Sequence, residues 1–348
     1  MTSHPDRIRG ALLGLAVGDA LGTTYEFERN GVQPTYPALA IGPATDVTGG
    51  GPFDLPEGGV TDDTQMAVCL ARSLTDRGAI DVDDLGRRYV AWSAHAFDIG
   101  NQTSAALRRI AAGIPARAAG LDVWRASPAD HRPAGNGSLM RTAPIGVAYA
   151  ARERIELIDA ALADSLITHA DPRCAIACAA FDCAIATALG HADAATRAAA
   201  MYEAARAAVP IATERLRAMW DGDDRAELSG DAIAADLELA HSDDPLPAGQ
   251  GVHLYGTAGF VRVAFRLAFW HLRTASWRAA LVDVASRGGD ADTNAAITGA
   301  LLGARDGASA IPAAWRERVL AATLPGPADW AADHHPRYLL SLADTLAR

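Results

Sequence analysis

Aromatic residues make up only 6% of the 348-residue chain, and β-branched residues are sparse beside abundant alanine. Sheets draw on those scarce residues to cover their faces, so the composition predicts close-packed helices. No basic tract stands out and the net charge is −11. A protein that grips nucleic-acid backbones shows the opposite balance. Charged residues interrupt the apolar runs, so no segment is expected to span a bilayer. The opening residues, Met1 to Asp6, lack the basic-then-apolar profile of a secretory signal, and the cytoplasm is the expected compartment. The four cysteines, Cys69, Cys174, Cys178 and Cys183, lie inside alanine-rich helical patterns. Cys174 and Cys178 share a helix face with His169 not far upstream, a weak zinc pattern. Small buried thiols in a reducing compartment are the expectation.

What the chain does have is two short acidic clusters far apart in sequence, Thr61-Asp62-Asp63-Thr64 and Asp290-Ala291-Asp292-Thr293. Each sets two carboxylates beside a threonine hydroxyl, next to paired glycines, where a helix is expected to start. Capping is one use for such residues. Oxygen ligation of a hard divalent cation is the other. If the fold unites the clusters, four carboxylates converge, and two divalent ions would match their charge. Asp290, Asp292 and Asn294 fit the first positions of an EF-hand loop, but Ala295 stands where that loop needs glycine and Leu301 where it needs glutamate. Zinc is disfavoured because neither cluster holds His or Cys. An oxygen-only magnesium or manganese site remains.

Half of the residues are apolar, enough for one large core or two modest ones. Helical periodicity is expected over 7–22, 62–77, 82–97, 102–113, 138–151, 154–168, 173–190, 194–207, 210–219, 255–272, 275–286, 292–304 and 311–321. The Gly- and Pro-rich stretch 28–60 reads as an extended surface loop, and 114–137 and 220–253 as loops or short helices. In the first helix Gly10, Gly14 and Gly18 recur every four residues, a spacing that serves close backbone approach. The pentapeptide Gly10-Ala-Leu-Leu-Gly14 returns as Gly299–Gly303, which makes both helices central. No linker divides the chain, so a single all-α domain over residues 1–348 is expected.

Seven strings then come in order: Gly10-Ala-Leu-Leu-Gly-Leu-Ala-Val-Gly-Asp-Ala-Leu-Gly22 with Glu26-Phe27, Val60–Met66, Asp98-Ile-Gly-Asn101, Gly135-Asn-Gly-Ser-Leu-Met-Arg141, Ile167-Thr-His169, Gly288-Gly-Asp-Ala-Asp-Thr293 and Ile311-Pro-Ala-Ala-Trp315. Together they resemble the ADP-ribosylglycohydrolase family over nearly the whole chain, particularly its dinitrogenase-reductase-activating branch. The resemblance implies a compact orthogonal multi-helix bundle that hydrolyses the glycosidic bond of ADP-ribosylated protein, with arginine as the leading acceptor. The alternatives are a related hydrolase acting on serine-linked, nucleic-acid-linked or small-molecule ADP-ribose, and a non-catalytic ADP-ribose-binding protein. It implies two divalent cations, Mg²⁺ or Mn²⁺, held by Thr61, Asp62, Asp63, Asp290, Asp292 and Thr293.

In such a reaction the bond breaks through an oxocarbenium-like state, and one carboxylate assists a water or protonates the leaving group. Asp98 and Glu26 both match family positions, and sequence does not rank them. The resemblance assigns ADP-ribose contacts to Gly135, Asn136, Gly137, Ser138, Met140, His169 and Phe260. A helix starting near Ser138 would offer its N-terminus to a phosphate. The chain departs from the family at Phe260, which stands where tyrosine is usual, and at Val263-Ala264, which replaces Asp-Thr. The partners implied are ADP-ribose and an ADP-ribosylated protein, with no membrane and no nucleic acid except as a modified substrate. A monomer is expected.

Overall fold

The computed structural model describes residues 3–29, 35–219, 225–274 and 276–346. Residues 30–34 of the expected loop, 220–224 of the second polar stretch and the expected helix start at 275 lie outside them. Every regular element described is helical, and β-pairing is confined to isolated bridges. In chain order the helices are α1 (His4–Gly22), α2 (Asp62–Arg77), α3 (Val82–Ser93), α4 (Asn101–Ala111), α5 (Ala116–Ala126), α6 (Ala143–Ala148), α7 (Arg154–Thr168) and α8 (Pro172–Gly190). There follow α9 (Ala194–Met219), α10 (Arg225–Leu239), α11 (Val261–His271), α12 (Trp277–Ser286), α13 (Ala291–Asp306), α14 (Ala313–Ala321), α15 (Ala328–Asp333) and α16 (Arg337–Leu346). The all-α expectation is met.

Several boundaries differ for physical reasons. The two helices expected over 194–207 and 210–219 form the single helix α9, with Pro210 inside it. An interior proline costs about 3 kcal/mol. Here Met201, Ala205, Ala208, Val209, Ala212 and Leu216 keep one face buried on both sides of it, and α9 packs on α8 and α10. The stretches 114–137 and 220–253 contain the full helices α5 and α10. The expected helix 138–151 shrinks to α6, because residues 136–140 form a tight turn in which the Leu139 and Met140 amides donate to the Asn136 carbonyl. The long loop after α1 is not wholly on the surface: Ala40, Ala44 and Val47 are buried. Helix α8 meets the length and composition of a membrane span, yet 78% of that stretch is buried inside the protein. It is a core helix, and its cysteines Cys174, Cys178 and Cys183 are free buried thiols, as is Cys69.

Two central helices position the site. Helices α1 and α13 run antiparallel with their backbones in contact. A β-carbon on Gly10 would collide with Gly303, one on Gly14 with Gly299, one on Gly18 with Ala295, and one on Gly22 with Ala291. The two copies of Gly-Ala-Leu-Leu-Gly therefore face each other in opposite directions. This register sets the C-terminal end of α1, and the chain leading to Glu26, beside the N-terminal end of α13.

Candidate active site

Helix α2 delivers Thr61, Asp62 and Asp63 to the same place, and its anchor is Asp19 on α1. The buried Asp19 carboxylate accepts hydrogen bonds from the Thr61 amide at 3.1 Å and the Thr64 amide at 3.2 Å. It also accepts from the Thr61 hydroxyl at 2.9 Å and the Thr64 hydroxyl at 2.6 Å. Asp19 thus caps α2 from another helix, and Thr61, at the N-cap position, makes no side-chain cap bond. Asp290, at the N-cap of α13, makes none either. Neither N-cap side chain caps its helix, and the bond from the Thr293 amide to Asp292 Oδ1 at 2.7 Å is local to the first turn of α13. Nor does Asp98 cap α4, whose N-cap position is Gly100.

The two clusters meet at Asp63. Its Oδ2 lies 3.3 Å from the Thr61 hydroxyl and 3.3 Å from the hydroxyl of Thr293, 230 residues away. One carboxylate oxygen from each of Glu26, Asp290 and Asp292 falls within 4.8 Å of the others. Asp98 stands beside Asp62. The carboxyls of Asp62, Asp63 and Asp292 are all pushed well above the usual range, by burial first and then by neighbouring carboxylates. Burial raises Asp290, against hydrogen bonds that lower it. Burial and then the charges of Asp98 and Asp290 push Glu26 up to about 9; burial and then Asp19 and Asp290 push Asp98 up to about 6.

Every charged neighbour that acts most strongly on these groups is another acid. Among the described residues Glu26 Oε2 and Asp63 Oδ1 are buried without a hydrogen-bond partner. Buried charges of one sign without a counterion are costly, and acceptor oxygens without donors are suited to a cation. The donor set is all oxygen, which fits a hard divalent ion.

From this acidic end a cleft of about 440 Å³ runs to the turn at Gly135-Asn136-Gly137. Met140 and His169 line that second end, together with Gln102 and Thr103 of α4, which the sequence did not single out. Gln102 Oε1 accepts the Gly135 amide at 3.1 Å, and Asn136 Nδ2 donates to Asp290 Oδ2 at 2.6 Å, linking the two ends. Burial, and then the Arg141 charge, depresses the His169 imidazole well below its ordinary value, which keeps it neutral. Arg141 is fully buried; it pairs with Asp164 at 3.0 Å and donates to the Gly137 carbonyl at 2.9 Å and the Thr168 hydroxyl at 3.0 Å. It holds the turn from below. Its signal in the sequence was its place in the Gly-Asn-Gly-Ser-Leu-Met-Arg string, as Asp19 had its place in the first glycine-rich string.

Two expected contacts fall elsewhere. Ser138 is buried, taken up by hydrogen bonds from Ser165 at 2.9 Å and Cys178 at 3.5 Å, and is not among the cleft-lining residues. No helix begins there, so the anticipated helix N-terminus for a phosphate is absent at that point. Phe260 is also not in the lining: the guanidinium groups of Arg173 and Arg262 lie 5.1 and 5.9 Å from its ring centre. Its segment supports the turn through backbone instead, with the Asn136 amide donating to Gly259 and the Val261 amide to Ala134, both at 3.0 Å.

Comparison with known proteins identifies the family and the fold. The profile of the ADP-ribosylglycohydrolase family matches residues 1–347. The chain is 29% identical over 315 residues to the ADP-ribosyl-[dinitrogen reductase] glycohydrolase of Rhodospirillum rubrum, covering 90% of each. It is 28% identical over 329 residues to the ADP-ribosylarginine hydrolase Tri1 of Serratia proteamaculans, covering 90% of this chain and 75% of that one. A solved ADP-ribosylglycohydrolase-related protein complex superposes with a TM-score of 0.69 at 30% identity, over 100% of this chain and 99% of its own. The chain belongs to the ADP-ribosylglycohydrolase family and is an enzyme of that class.

Proposed function

We propose that this protein is a divalent-cation-dependent hydrolase that releases ADP-ribose from arginine side chains of modified proteins in the cytoplasm. The observation that carries the reading is the meeting of two acidic clusters from opposite ends of the chain at Asp63, with no cation among the groups that dominate their electrostatics. The names of the Rhodospirillum and Serratia relatives support the substrate class. Thr61, Asp62, Asp63, Asp290, Asp292 and Thr293 would hold two ions, magnesium or manganese, with Glu26 close to Asp290 and Asp292. When bound, such ions supply charge neutralisation and Lewis-acid orientation of ribose hydroxyls.

The protein's own residues do the rest. The Gly135–Gly137 turn, held by Arg141 and Gln102, receives the diphosphate and distal ribose, and neutral His169 offers a hydrogen bond to the nucleotide part. The cleft fixes the sugar so that cleavage proceeds from one orientation. Asp98, half-buried beside Asp62, handles the proton of the attacking water or leaving group. Glu26 belongs with the ion-holding set.

The test is a release assay. Separate substrates carrying ADP-ribose on arginine, serine, glutamate or a DNA end are incubated with protein and with magnesium or manganese, and free ADP-ribose is measured. Release from the arginine substrate that stops on chelation is expected. Preferential release from another linkage would overturn the assigned acceptor, and release unaffected by chelator would overturn the ion dependence.

A further inference from the structure

Phe27 breaks two rules at once. Its φ is 60°, in the left-handed region that bulky residues avoid, and the residue is 64% exposed to solvent. Strain of this kind persists only where the surroundings impose it, and it gathers at ligand sites. The Phe27 amide donates to the Gly289 carbonyl at 2.6 Å, while the Gly289 amide donates to Glu28 at 2.9 Å. This two-bond clamp ties the residue to the segment that opens α13, one position before Asp290. Gly288 and Gly289 are themselves at positive φ, and a β-carbon on Gly288 would collide with the Glu28 carbonyl. Both strands of the clamp are thus shaped for this arrangement. What the strain achieves is placement: Phe27 lines the cleft with Glu26, Asp62 and Asp98, at the acidic end.

An exposed phenyl ring set among carboxylates does not suit a diphosphate, which the acids repel. It suits a planar cation, which an aromatic face attracts and neighbouring carboxylates complement. We propose that Phe27 is a specificity residue whose ring stacks on the guanidinium of the ADP-ribosylated arginine, the leaving group of the reaction. This rests on the arginine reading above and names the side chain that recognises the acceptor. A neutral serine or an anionic DNA end as leaving group would gain no such contact.

The experiment compares wild type with Phe27→Gly, Phe27→Leu and Phe27→Tyr, using ADP-ribosylarginine peptide as substrate and free ADP-ribose as a binding probe. Wild-type release from the peptide tests the arginine reading by itself. Given that activity, Phe27→Gly should lose about tenfold in kcat/KM, as removal of one cation–π contact predicts, with ADP-ribose affinity unchanged. Its melting temperature should rise by about 2 °C, because glycine accepts positive φ without strain. Phe27→Leu keeps bulk and strain but lacks the aromatic face, so it should lose activity like the glycine variant. Phe27→Tyr should retain it. Leucine matching wild type, or parallel loss of ADP-ribose affinity and melting temperature in the glycine variant, would overturn the proposal in favour of a packing role.

Discussion

The Thr64 hydroxyl donates to Asp19 Oδ2 at 2.6 Å, joining the start of α2 to the last turns of α1. This bond and its neighbours let α2 begin without using Asp62 or Asp63 as caps, which leaves Asp62 to the cleft and Asp63 to the buried meeting point with Thr293. Asp19→Ala should therefore damage more than a cap. The Thr61 amide and the Thr64 amide and hydroxyl would lose their acceptor, while the Thr23 hydroxyl would keep the Asp19 carbonyl and the Thr61 hydroxyl Asp63. Destabilisation of about 3 kcal/mol is expected, together with loss of activity. Urea unfolding measures the first and the release assay the second; a fully active, fully stable variant would contradict the anchoring role.

Asp292→Ala should abolish divalent-ion binding and hydrolysis while leaving the protein folded. The Asp292 carboxylate accepts the Thr293 amide at 2.7 Å, a local bond, and otherwise faces other acids. Removing one of several mutually repelling charges should hold or raise the melting temperature of chelator-treated protein. Near-normal turnover at physiological magnesium would rule out the six-residue ion site.

Divalent ions should stabilise the protein, and more so at high pH. A hundredfold excess over the dissociation constant contributes about 2.7 kcal/mol by mass action. In chelator, each raised carboxyl binds more protons folded than unfolded between its two values, so stability falls as pH rises through that interval. The interval runs from 4.5 to about 9 for Glu26 and from 3.8 to about 6 for Asp98. Thermal melts from pH 5 to 8 should show a decline in chelator that magnesium or manganese removes. Coincident curves with and without ions would count against the site.

Asp98→Asn should still bind ADP-ribose and ions yet lose roughly 10²–10⁴-fold in turnover. Glu26→Gln, altering the group beside Asp290 and Asp292, should weaken ion or ligand binding together with rate. Calorimetric affinity and single-turnover release separate the two. A Glu26 variant that binds normally but is dead, with an active Asp98 variant, would reverse the assignment.

Gly299→Ala should cost about 1–3 kcal/mol by overpacking, since its β-carbon meets the Gly14 backbone. Because α13 carries Asp292 and Thr293, the displaced helix should also bind ions less tightly. Denaturant midpoint and ion titration on the same variant check both effects. A variant with unchanged stability would show that the two helices separate without cost.

The glycine spacing and the repeated pentapeptide already announced a close helix pair, because only backbone approach explains glycine inside an otherwise strong helix pattern. The acidic clusters announced an oxygen-rich site for a similar reason: paired carboxylates beside hydroxyls serve few purposes. Other features had no local signature. Asp19 reads as one polar residue in an apolar helix, and its five donors lie one chain-turn away or forty residues on. Arg141 gains its meaning from Asp164, Thr168 and the Gly137 carbonyl, which only folding assembles. Ser138 and Phe260, suited by type to touch a ligand, were turned elsewhere by neighbours from α7, α8 and α11.

Helix content, the central pair and the residue types of the site followed from the sequence alone, since propensity, spacing and donor chemistry are local properties. Which carboxylates face the cleft, which residue caps α2, and the strained exposure of Phe27 were decided by tertiary structure. Each depends on contacts between segments tens to hundreds of residues apart, and no local pattern encodes the direction in which a buried side chain must point.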